Sequence, residues 1–186
     1  MNHLLLIGFK GCGKSTVGRL VARRLGRRFI DLDTVIERLF HERGLQRMGF
    51  RDVFCQVGEA EFRRLEREAA RIVARWAREA PAPMVIALGG GSLVDDETRS
   101  LLLPLGRFVY LRVPRNEAVE RALSADTPAF LPGRNPVEEL SEVYSLREPI
   151  YRACAHITVD IGGLGRRAAA DRVVGEFDRL ATSGGA

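Results

Sequence analysis

The strongest constraint on this chain is a glycine-rich pattern close to its first residue. Residues 8–15 read G-x-x-x-x-G-K-S, directly after the apolar run Leu4–Ile7 and directly before a stretch with helical apolar spacing. A short apolar run of this kind is typical of a strand that is buried on both faces of a parallel sheet. Strand, pattern and helix together form the phosphate-binding loop, so the sequence predicts that the chain binds a nucleoside triphosphate.

Each position in this loop has a physical reason. Gly8, Gly11 and Gly13 permit backbone angles that side chains would exclude, so that successive N–H groups can turn toward a phosphate. Lys14 can then reach the β- and γ-phosphates of ATP, and the hydroxyl of Ser15 can ligate Mg²⁺. The helix that begins near Lys14 directs its positive end at the same anion. The residues expected to hold the nucleotide are consecutive: Gly11, Cys12, Gly13, Lys14, Ser15 and Thr16.

Length and composition fit a single water-soluble α/β domain, which we assign to residues 1–181, followed by a frayed tail over 182–186. The chain has 186 residues, of which 46% are hydrophobic and 28% are charged. No apolar run approaches the roughly 18 residues that a membrane span requires, and Leu4–Ile7 is too short for a signal peptide. We therefore expect a cytoplasmic monomer with no membrane partner.

The net charge of +5 raises the question of nucleic-acid binding, but the distribution of charge does not favour it. Arginines are mixed with acids along the predicted helices, as expected of a solvated surface around an anion-binding cleft. Cys12, Cys55 and Cys154 match no zinc pattern and no closed set of disulfides. Cys12 lies inside the phosphate loop, where it is either a small filler or a thiol made reactive by the helix N-terminus.

Short apolar strands alternate with helices along the chain, an order typical of one parallel sheet with helices on both faces. We predict five strands: Leu4–Ile7, Phe29–Leu32, Met84–Leu88, Arg107–Val113 and Ile157–Val159. After the helix at Lys14 we predict further helices over Thr34–Glu42, Gly58–Arg78, Asp95–Leu103, Asn116–Leu123, Val137–Cys154 and Ala168–Leu180. We expect Pro149 to kink or break the helix that contains it. Residues 44–57 are typical of a loop, and the proline-rich stretch 124–136 is typical of a lid.

Two polar features follow predicted strands. Asp31 and Asp33 come at the end of the second strand, where alternation puts both carboxylates on one side, at the edge where α/β sheets bind ligands. One carboxylate could hold Mg²⁺ through water while the other accepts a proton from an attacking hydroxyl; alternatively, Asp33 only caps the next helix. The glycine run Gly89–Gly91 permits close backbone approach to a ligand, or else forms a tight turn.

Taken in order, these features resemble the shikimate kinase family over roughly residues 4–160. The matching series is Gly8–Ser15, Asp31-x-Asp33, Gly58-Glu59-x-Glu61-Phe62-Arg63, Gly89-Gly90-Gly91 and Arg147-x-Pro149-x-Tyr151. The resemblance implies a single-domain P-loop kinase fold with a five-stranded parallel sheet and a lid. It also implies transfer of the γ-phosphate of ATP to the 3-hydroxyl of shikimate, a step of chorismate and aromatic amino acid biosynthesis, with ATP and Mg²⁺ as cofactors.

The same resemblance implies roles for the residues of the catalytic centre. The aspartate that matches Asp33 binds a ring hydroxyl of shikimate beside the one that is phosphorylated, so Asp33 and Lys14 are the implied catalytic residues. The aspartate that matches Asp31 belongs, with Ser15, to the magnesium shell.

Further implied contacts lie around the two ligands. Arg63 and Arg147 would hold the carboxylate of shikimate, a group that suits guanidinium forks. The backbone of Gly89, Gly90 and Gly91 would contact the same substrate. Arg121 matches an arginine that packs on adenine.

The sequence departs from the family pattern in two places. Family members usually carry Arg-Pro-Leu-Leu in the lid, whereas residues 126–131 read D-T-P-A-F-L without an arginine. That arginine reaches over the phosphates, where a lost cation costs transition-state stabilisation; Arg134, further along the same stretch, is a candidate replacement. Glu42–Phe54 is also several residues longer than usual, which bears on substrate identity.

Two other functions are compatible with the nucleotide site. One is a kinase for another small hydroxy acid such as gluconate, and the other is a non-catalytic nucleotide-binding regulator. Paired arginines that could bind a carboxylate argue against a nucleoside acceptor, and the complete set of predicted catalytic residues argues against the regulator. Turnover of ATP with and without shikimate would discriminate between them.

Overall fold

The computed structural model of the chain describes residues 2–43, 49–124 and 135–183. Five parallel strands form one sheet in the order β2-β3-β1-β4-β5: β1 (His3–Ile7), β2 (Phe29–Asp31), β3 (Val85–Ala87), β4 (Gly106–Arg112) and β5 (Ile157–Asp160). The described helices are α1 (Lys14–Arg24), α2 (Leu32–Glu42), α3 (Phe50–Glu79), α4 (Asp96–Leu102), α5 (Arg115–Ser124), α6 (Pro136–Cys154) and α7 (Arg166–Ser183). The predicted five-stranded parallel sheet is confirmed.

Strand β1 lies in the middle of the sheet, which explains why the run Leu4–Ile7 is apolar throughout. Leu4, Leu5 and Leu6 are fully buried, because β3 pairs with β1 on one side, β4 pairs on the other, and helices cover both faces. A strand in this position has no solvent face and therefore no polar alternation.

The order of the strands determines which helices share a face of the sheet. The chain passes from β1 outward to β2, returns to β3, crosses to β4 and continues to β5. Right-handed crossovers put α1 on one face and α3, α4 and α6 on the other, since the first step runs in the opposite direction to the later ones. α7 packs against α1, so helices cover both faces as predicted.

Helix α3 begins earlier than predicted, so the assignment of residues 44–57 as a loop is wrong over residues 50–57; residues 44–48 lie outside the described part of the chain. The helix starts at Phe50 and continues to Glu79, with a kink at Gly58, where φ is +76°. Gly58 lies at the junction of two helical segments, and the second segment is the helix predicted from Gly58. Because the left-handed angle at this glycine interrupts the helical period, the apolar spacing of the first segment does not continue into the second.

The last two helices also differ from the prediction. α6 continues through Pro149 to Cys154, so the expected break is wrong and the alternative, a kink, stays a prediction. α7 begins at Arg166 and runs through Ser183, so the expected frayed tail begins inside this helix. Residues 184–186 lie outside the described part of the chain.

The start of β1 is held by close backbone packing and by a buried histidine. A β-carbon at Gly106 would stand 2.2 Å from the carbonyl oxygen of His3, so a side chain cannot fit where β4 begins. The Met84 N–H donates to His3 Nδ1 at 2.9 Å, which leaves Nε2 to donate to the Ala77 carbonyl at 2.9 Å. This histidine therefore joins β1 to the end of α3 and the start of β3.

The predicted ligand-binding segments meet at one edge of the sheet. The phosphate loop follows β1, Asp31 ends β2, and the glycine run follows β3. In a parallel sheet these carboxyl ends lie side by side. No helix in the described ranges is both long enough and apolar enough to cross a membrane.

Candidate active site

A cleft of about 630 Å³ lies at the carboxyl edge of the sheet. Most of the predicted site residues line it: Gly11, Gly13, Lys14, Ser15, Thr16, Asp33, Arg63, Gly90, Gly91 and Arg147. The other four, Cys12, Gly89, Asp31 and Arg121, are not among the residues that line it. Phe54, Phe62, Leu140 and Val143 add apolar walls, so the cleft combines charged groups with apolar surface, as expected of a small-molecule site.

The phosphate loop has the backbone geometry that its glycines predict. Gly8, Gly11 and Gly13 have φ angles of +145°, +78° and +97°, which side chains rarely adopt. Lys14 is buried, and its Nζ donates to the carbonyls of Gly8 at 2.9 Å and Phe9 at 3.0 Å. The ammonium group is therefore held inside the loop, close to the N-terminus of α1, where an anion would be favoured.

Cys12 is a buried part of the same loop. Its side chain is 1% exposed, and its Sγ lies 3.9 Å from Lys14 Nζ. This burial supports the interpretation of Cys12 as a small filler rather than as an accessible reactive thiol.

Asp31 and Asp33 lie on different elements, which corrects the expected alternation along one strand. β2 ends at Asp31, and Asp33 lies in the first turn of α2. Asp31 also caps this helix, because its Oδ1 accepts the Asp33 N–H at 3.2 Å. The alternative in which Asp33 is the cap is therefore wrong, and Asp33 is left to face the cleft.

The surroundings of Asp33 shift the pKa of its carboxylate well away from the ordinary value. Its Oδ1 is inaccessible to solvent and has no hydrogen-bond partner among the described residues. Burial, and then the charge of Asp31, raise the pKa of Asp33 to about 7, although Lys14 opposes the shift. A β-carbon at Gly89 would stand 2.8 Å from this oxygen, so the first glycine of the run leaves room for the carboxylate.

Glu66 is a buried member of the site that the sequence analysis missed. It is 2% exposed, accepts a bond from Arg63 Nη1 at 2.6 Å and another from Ser92 Oγ at 2.8 Å. The sequence contains a signal for it, because Glu66 lies on the buried stripe of α3 between Phe62 and Ala69. A carboxylate on such a stripe requires a partner, and Arg63 is one turn away.

The two predicted carboxylate-binding arginines face the same point of the cleft. A β-carbon at Gly91 would stand 3.2 Å from Arg63 Nη1 and 3.6 Å from Arg147 Nη2. Arg63 comes from α3 and Arg147 from α6, on two sides of the glycine run. Two guanidinium groups so arranged can bind one carboxylate between them.

Arg121 lies at the other end of the phosphate loop. A β-carbon at Gly11 would stand 3.0 Å from the Arg121 carbonyl, so the loop lies directly against α5. The guanidinium of Arg121 pairs with Glu117, which also accepts the Gly163 N–H at 3.1 Å and 3.2 Å. Arg121 is thus tied to the turn that follows β5.

The expected lid lies mostly outside the described residues. Residues 125–134 include the D-T-P-A-F-L stretch and Arg134, and residues 44–48 include part of the region that looked longer than usual. The proposed replacement of the lid arginine by Arg134 therefore stays a prediction.

Comparison with known proteins connects this cleft to one family. The family model described as shikimate kinase matches residues 10–177. A shikimate kinase from Thermodesulfovibrio yellowstonii is 34% identical over 180 residues, 97% of each chain, and one from Moorella thermoacetica is 39% identical over 163 residues, 87% of this chain and 86% of the relative.

A solved structure has the same fold over nearly the whole chain. The shikimate kinase from Acinetobacter baumannii in complex with shikimate superposes with a TM-score of 0.77 at 27% identity, covering 97% of this chain and 94% of that one. The chain is therefore similar to shikimate kinases both in fold and in sequence.

Proposed function

The chain belongs to the shikimate kinase family, an ATP-dependent class of phosphotransferases with an alcohol acceptor, and we propose that it phosphorylates the 3-hydroxyl of shikimate. The observation that carries this proposal is the content of one cleft. A phosphate loop, a buried carboxylate and two converging guanidinium groups all open on the same space. These are the groups that a nucleotide, an attacking hydroxyl and a carboxylated acceptor require.

Recognition of the acceptor is assigned to the arginines and the glycine run. Arg63 and Arg147 bind the carboxylate of shikimate, because both guanidinium groups face Gly91. Glu66 holds Arg63 through its 2.6 Å bond, which restricts the guanidinium before the substrate arrives. The backbone of Gly90 and Gly91 lies in the same wall of the cleft and can donate to ring hydroxyls.

Asp33 is assigned to the reacting hydroxyl. In its ionised form the carboxylate accepts a hydrogen bond from the acceptor and orients it toward the γ-phosphate, in line with the leaving ADP. A bond forms between the 3-oxygen of shikimate and phosphorus while the bond from phosphorus to the β,γ-bridging oxygen breaks. The hydroxyl proton passes to Asp33, whose pKa of about 7 allows it to take up and release a proton near neutral pH.

Lys14 and the N-terminus of α1 are assigned to the phosphates. With ATP bound, Lys14 Nζ exchanges at least one of its bonds to the Gly8 and Phe9 carbonyls for a phosphate oxygen. The ammonium charge then stabilises the negative charge that moves onto ADP during transfer. Arg121, held by Glu117 beside the loop, packs on the adenine ring.

The donor set fits Mg²⁺. Ser15 offers a hydroxyl in the cleft and Asp31 a carboxylate at the end of β2, and magnesium is typically held by one or two such oxygens together with substrate phosphates and water. No group of three or more His, Cys, Asp and Glu side chains suited to a metal lies in the described part of the chain. When bound, Mg²⁺ would supply positive charge to the phosphate oxygens.

The proposed reaction needs one copy of the chain and a supply of ATP. Action as a monomer stays part of the proposal. The expected cytoplasmic location is supported by the requirement for ATP.

The carboxylate assignment is tested with variants and with a modified substrate. Arg63→Ala and Arg147→Ala should each raise KM for shikimate by roughly 10- to 100-fold, the range for a charge-assisted bond, with KM for ATP within about twofold. Arg64→Ala is the matched control, because Arg64 neighbours Arg63 but is exposed and pairs with Glu61.

Shikimate methyl ester, which lacks the anionic carboxylate, should be a poor substrate of the wild type. It should also be less sensitive than shikimate to loss of either arginine. Equal effects of the arginine variants on the acid and on its ester would contradict the assignment.

A further inference from the structure

Tyr151 belongs to the motif that aligns the chain with its family, yet the proposed reaction gives it no role. Its ring is 1% exposed and packs against Tyr110, with ring centroids 5.3 Å apart. Its hydroxyl reaches the glycine run, where it donates to the carbonyl of Gly90. A buried hydroxyl aimed at the backbone of a binding loop restricts the conformations available to that loop.

The Gly90 carbonyl receives a second donor from the same helix. Arg147 Nη1 donates to it at 3.3 Å, and Arg147 and Tyr151 lie four residues apart on one face of α6. The bond from Arg147 is long, so the Tyr151 hydroxyl is the stronger of the two restraints.

The carbonyls of Gly89 and Gly91, unlike that of Gly90, accept hydrogen bonds from the residues that follow them. The Gly89 carbonyl accepts the Ser92 N–H at 3.2 Å, and the Gly91 carbonyl accepts the Val94 N–H at 3.0 Å. These bonds close turns within the loop itself, whereas the middle carbonyl is directed to α6. The orientation of the Gly90–Gly91 peptide therefore depends on Tyr151 and Arg147.

The opposite side of Gly90 is restrained by the phosphate loop. A β-carbon at Gly90 would stand 3.2 Å from the Lys10 nitrogen and 3.6 Å from the Gly8 carbonyl. The glycine therefore lies between the phosphate loop on one side and α6 on the other. A displacement of this peptide would move the wall shared by the two substrates.

We propose that Tyr151 is a positioning residue for the acceptor site: its hydroxyl fixes the Gly90–Gly91 peptide and leaves Arg147 available for the acceptor carboxylate. Without that hydroxyl, the Gly90 carbonyl depends on Arg147 alone. Arg147 then stays bonded to the Gly90 carbonyl and is less available to bind the acceptor carboxylate. This inference rests on the proposed function for the identity of the acceptor, but not for the restraint on the loop.

The test compares Tyr151→Phe with Tyr144→Phe. Both variants remove one buried hydroxyl from α6, but the Tyr144 hydroxyl donates to Val113 at 2.9 Å and not to the glycine run. Tyr151→Phe should raise KM for shikimate about fivefold, the effect of losing one hydrogen bond of about 1 kcal/mol, with kcat and KM for ATP within about twofold. Tyr144→Phe should leave KM for shikimate unchanged.

Hydrogen exchange supplies a readout that needs no substrate. Amide exchange in a peptide spanning residues 89–94 should be faster in ligand-free Tyr151→Phe than in wild type, and unchanged in Tyr144→Phe. Equal KM values for shikimate in the two variants, or equal exchange in this segment, would overturn the inference. Wild-type protein without shikimate-dependent turnover would instead contradict the proposed function, and the exchange result would still decide whether Tyr151 restrains the loop.

Discussion

At the scale of single residues, Asp33 combines features that a group accepting a proton from a substrate hydroxyl requires. Its Oδ1 has no partner among the described residues, and burial with the nearby Asp31 charge raises its pKa to about 7. A carboxylate left unpaired in this way is costly for the free protein. In the proposed reaction a substrate hydroxyl donates to this carboxylate and removes the cost, which would link stability and function at one side chain.

The raised pKa of Asp33 predicts a pH-dependent gain in stability for Asp33→Asn. The unfolded chain loses this proton near the ordinary pKa of 3.8, whereas the folded chain holds it to about pH 7. The folded state binds more protons across this window, so ionisation of Asp33 lowers stability as pH rises. The variant should exceed wild type in free energy of unfolding by on the order of 2 kcal/mol at pH 8 and by little at pH 4.5.

Urea unfolding of both proteins at the two pH values measures this difference. Other titrating groups, including His3, are present in both chains and cancel in the comparison. A difference that is the same at pH 4.5 and pH 8 would show that Asp33 titrates normally in the folded chain.

The same substitution predicts a separate kinetic effect. Asparagine cannot accept the hydroxyl proton, so Asp33→Asn should lower shikimate-dependent kcat by about 10²–10⁴-fold, the range for a lost acid–base group. The dissociation constant for MgATP, measured by calorimetry, should change less than about threefold. Retained turnover would remove Asp33 from the reaction.

The role of a residue could be predicted from the sequence where the groups around it come from neighbouring positions in the chain. Lys14 and Ser15 could be assigned because the loop motif fixes their surroundings. Glu66 was missed although its place on the buried stripe of α3 and Arg63 one turn away indicate it; only its second partner, Ser92, comes from a distant segment. The sequence also gave no indication that Asp33 is half-buried with one inaccessible carboxylate oxygen.

At the scale of elements, the strands were predicted more accurately than the helix ends. β1 is recognisable because a strand covered on both faces is apolar throughout. The start of α3 was missed because Gly58, with φ of +76°, interrupts the helical period between the two segments of α3. The Asp31–Asp33 pair was misassigned because β2 ends at Asp31, so period-two alternation does not extend to Asp33.

Because β1 and β4 pack closely, we expect Gly106→Ala and Gly175→Ala to change the free energy of unfolding in opposite directions. Gly106→Ala would bring a β-carbon within 2.2 Å of the His3 carbonyl, and should lower the free energy of unfolding by about 2–3 kcal/mol, as overpacking does. Gly175→Ala is the control, since Gly175 lies within α7 and a β-carbon there meets no atom within 4 Å.

The control should raise stability by about 0.5–1 kcal/mol through helix propensity. Urea unfolding midpoints compare the two variants with wild type. Equal effects of the two substitutions would mean that β1 and β4 can separate at this point without cost.

At the scale of the whole molecule, the sheet brings distant segments to one edge. The phosphate loop, Asp33, the glycine run and Arg147 are separated by long stretches of sequence but line one cleft. Motif order predicted which segments would meet, since the carboxyl ends of parallel strands define a common edge. Side-chain contacts within the cleft, such as that of Tyr151 with Gly90, depend on helix packing that spacing alone does not give.

The most direct test of this account is shikimate-dependent turnover by the purified wild-type protein. MgATP is supplied with shikimate, with gluconate or with no acceptor; ADP is measured, and the product is identified by phosphorus NMR. The account predicts ADP formation that requires shikimate, with one phosphate on its 3-hydroxyl. ADP formation that is unaffected by shikimate, or that requires gluconate instead, would contradict it.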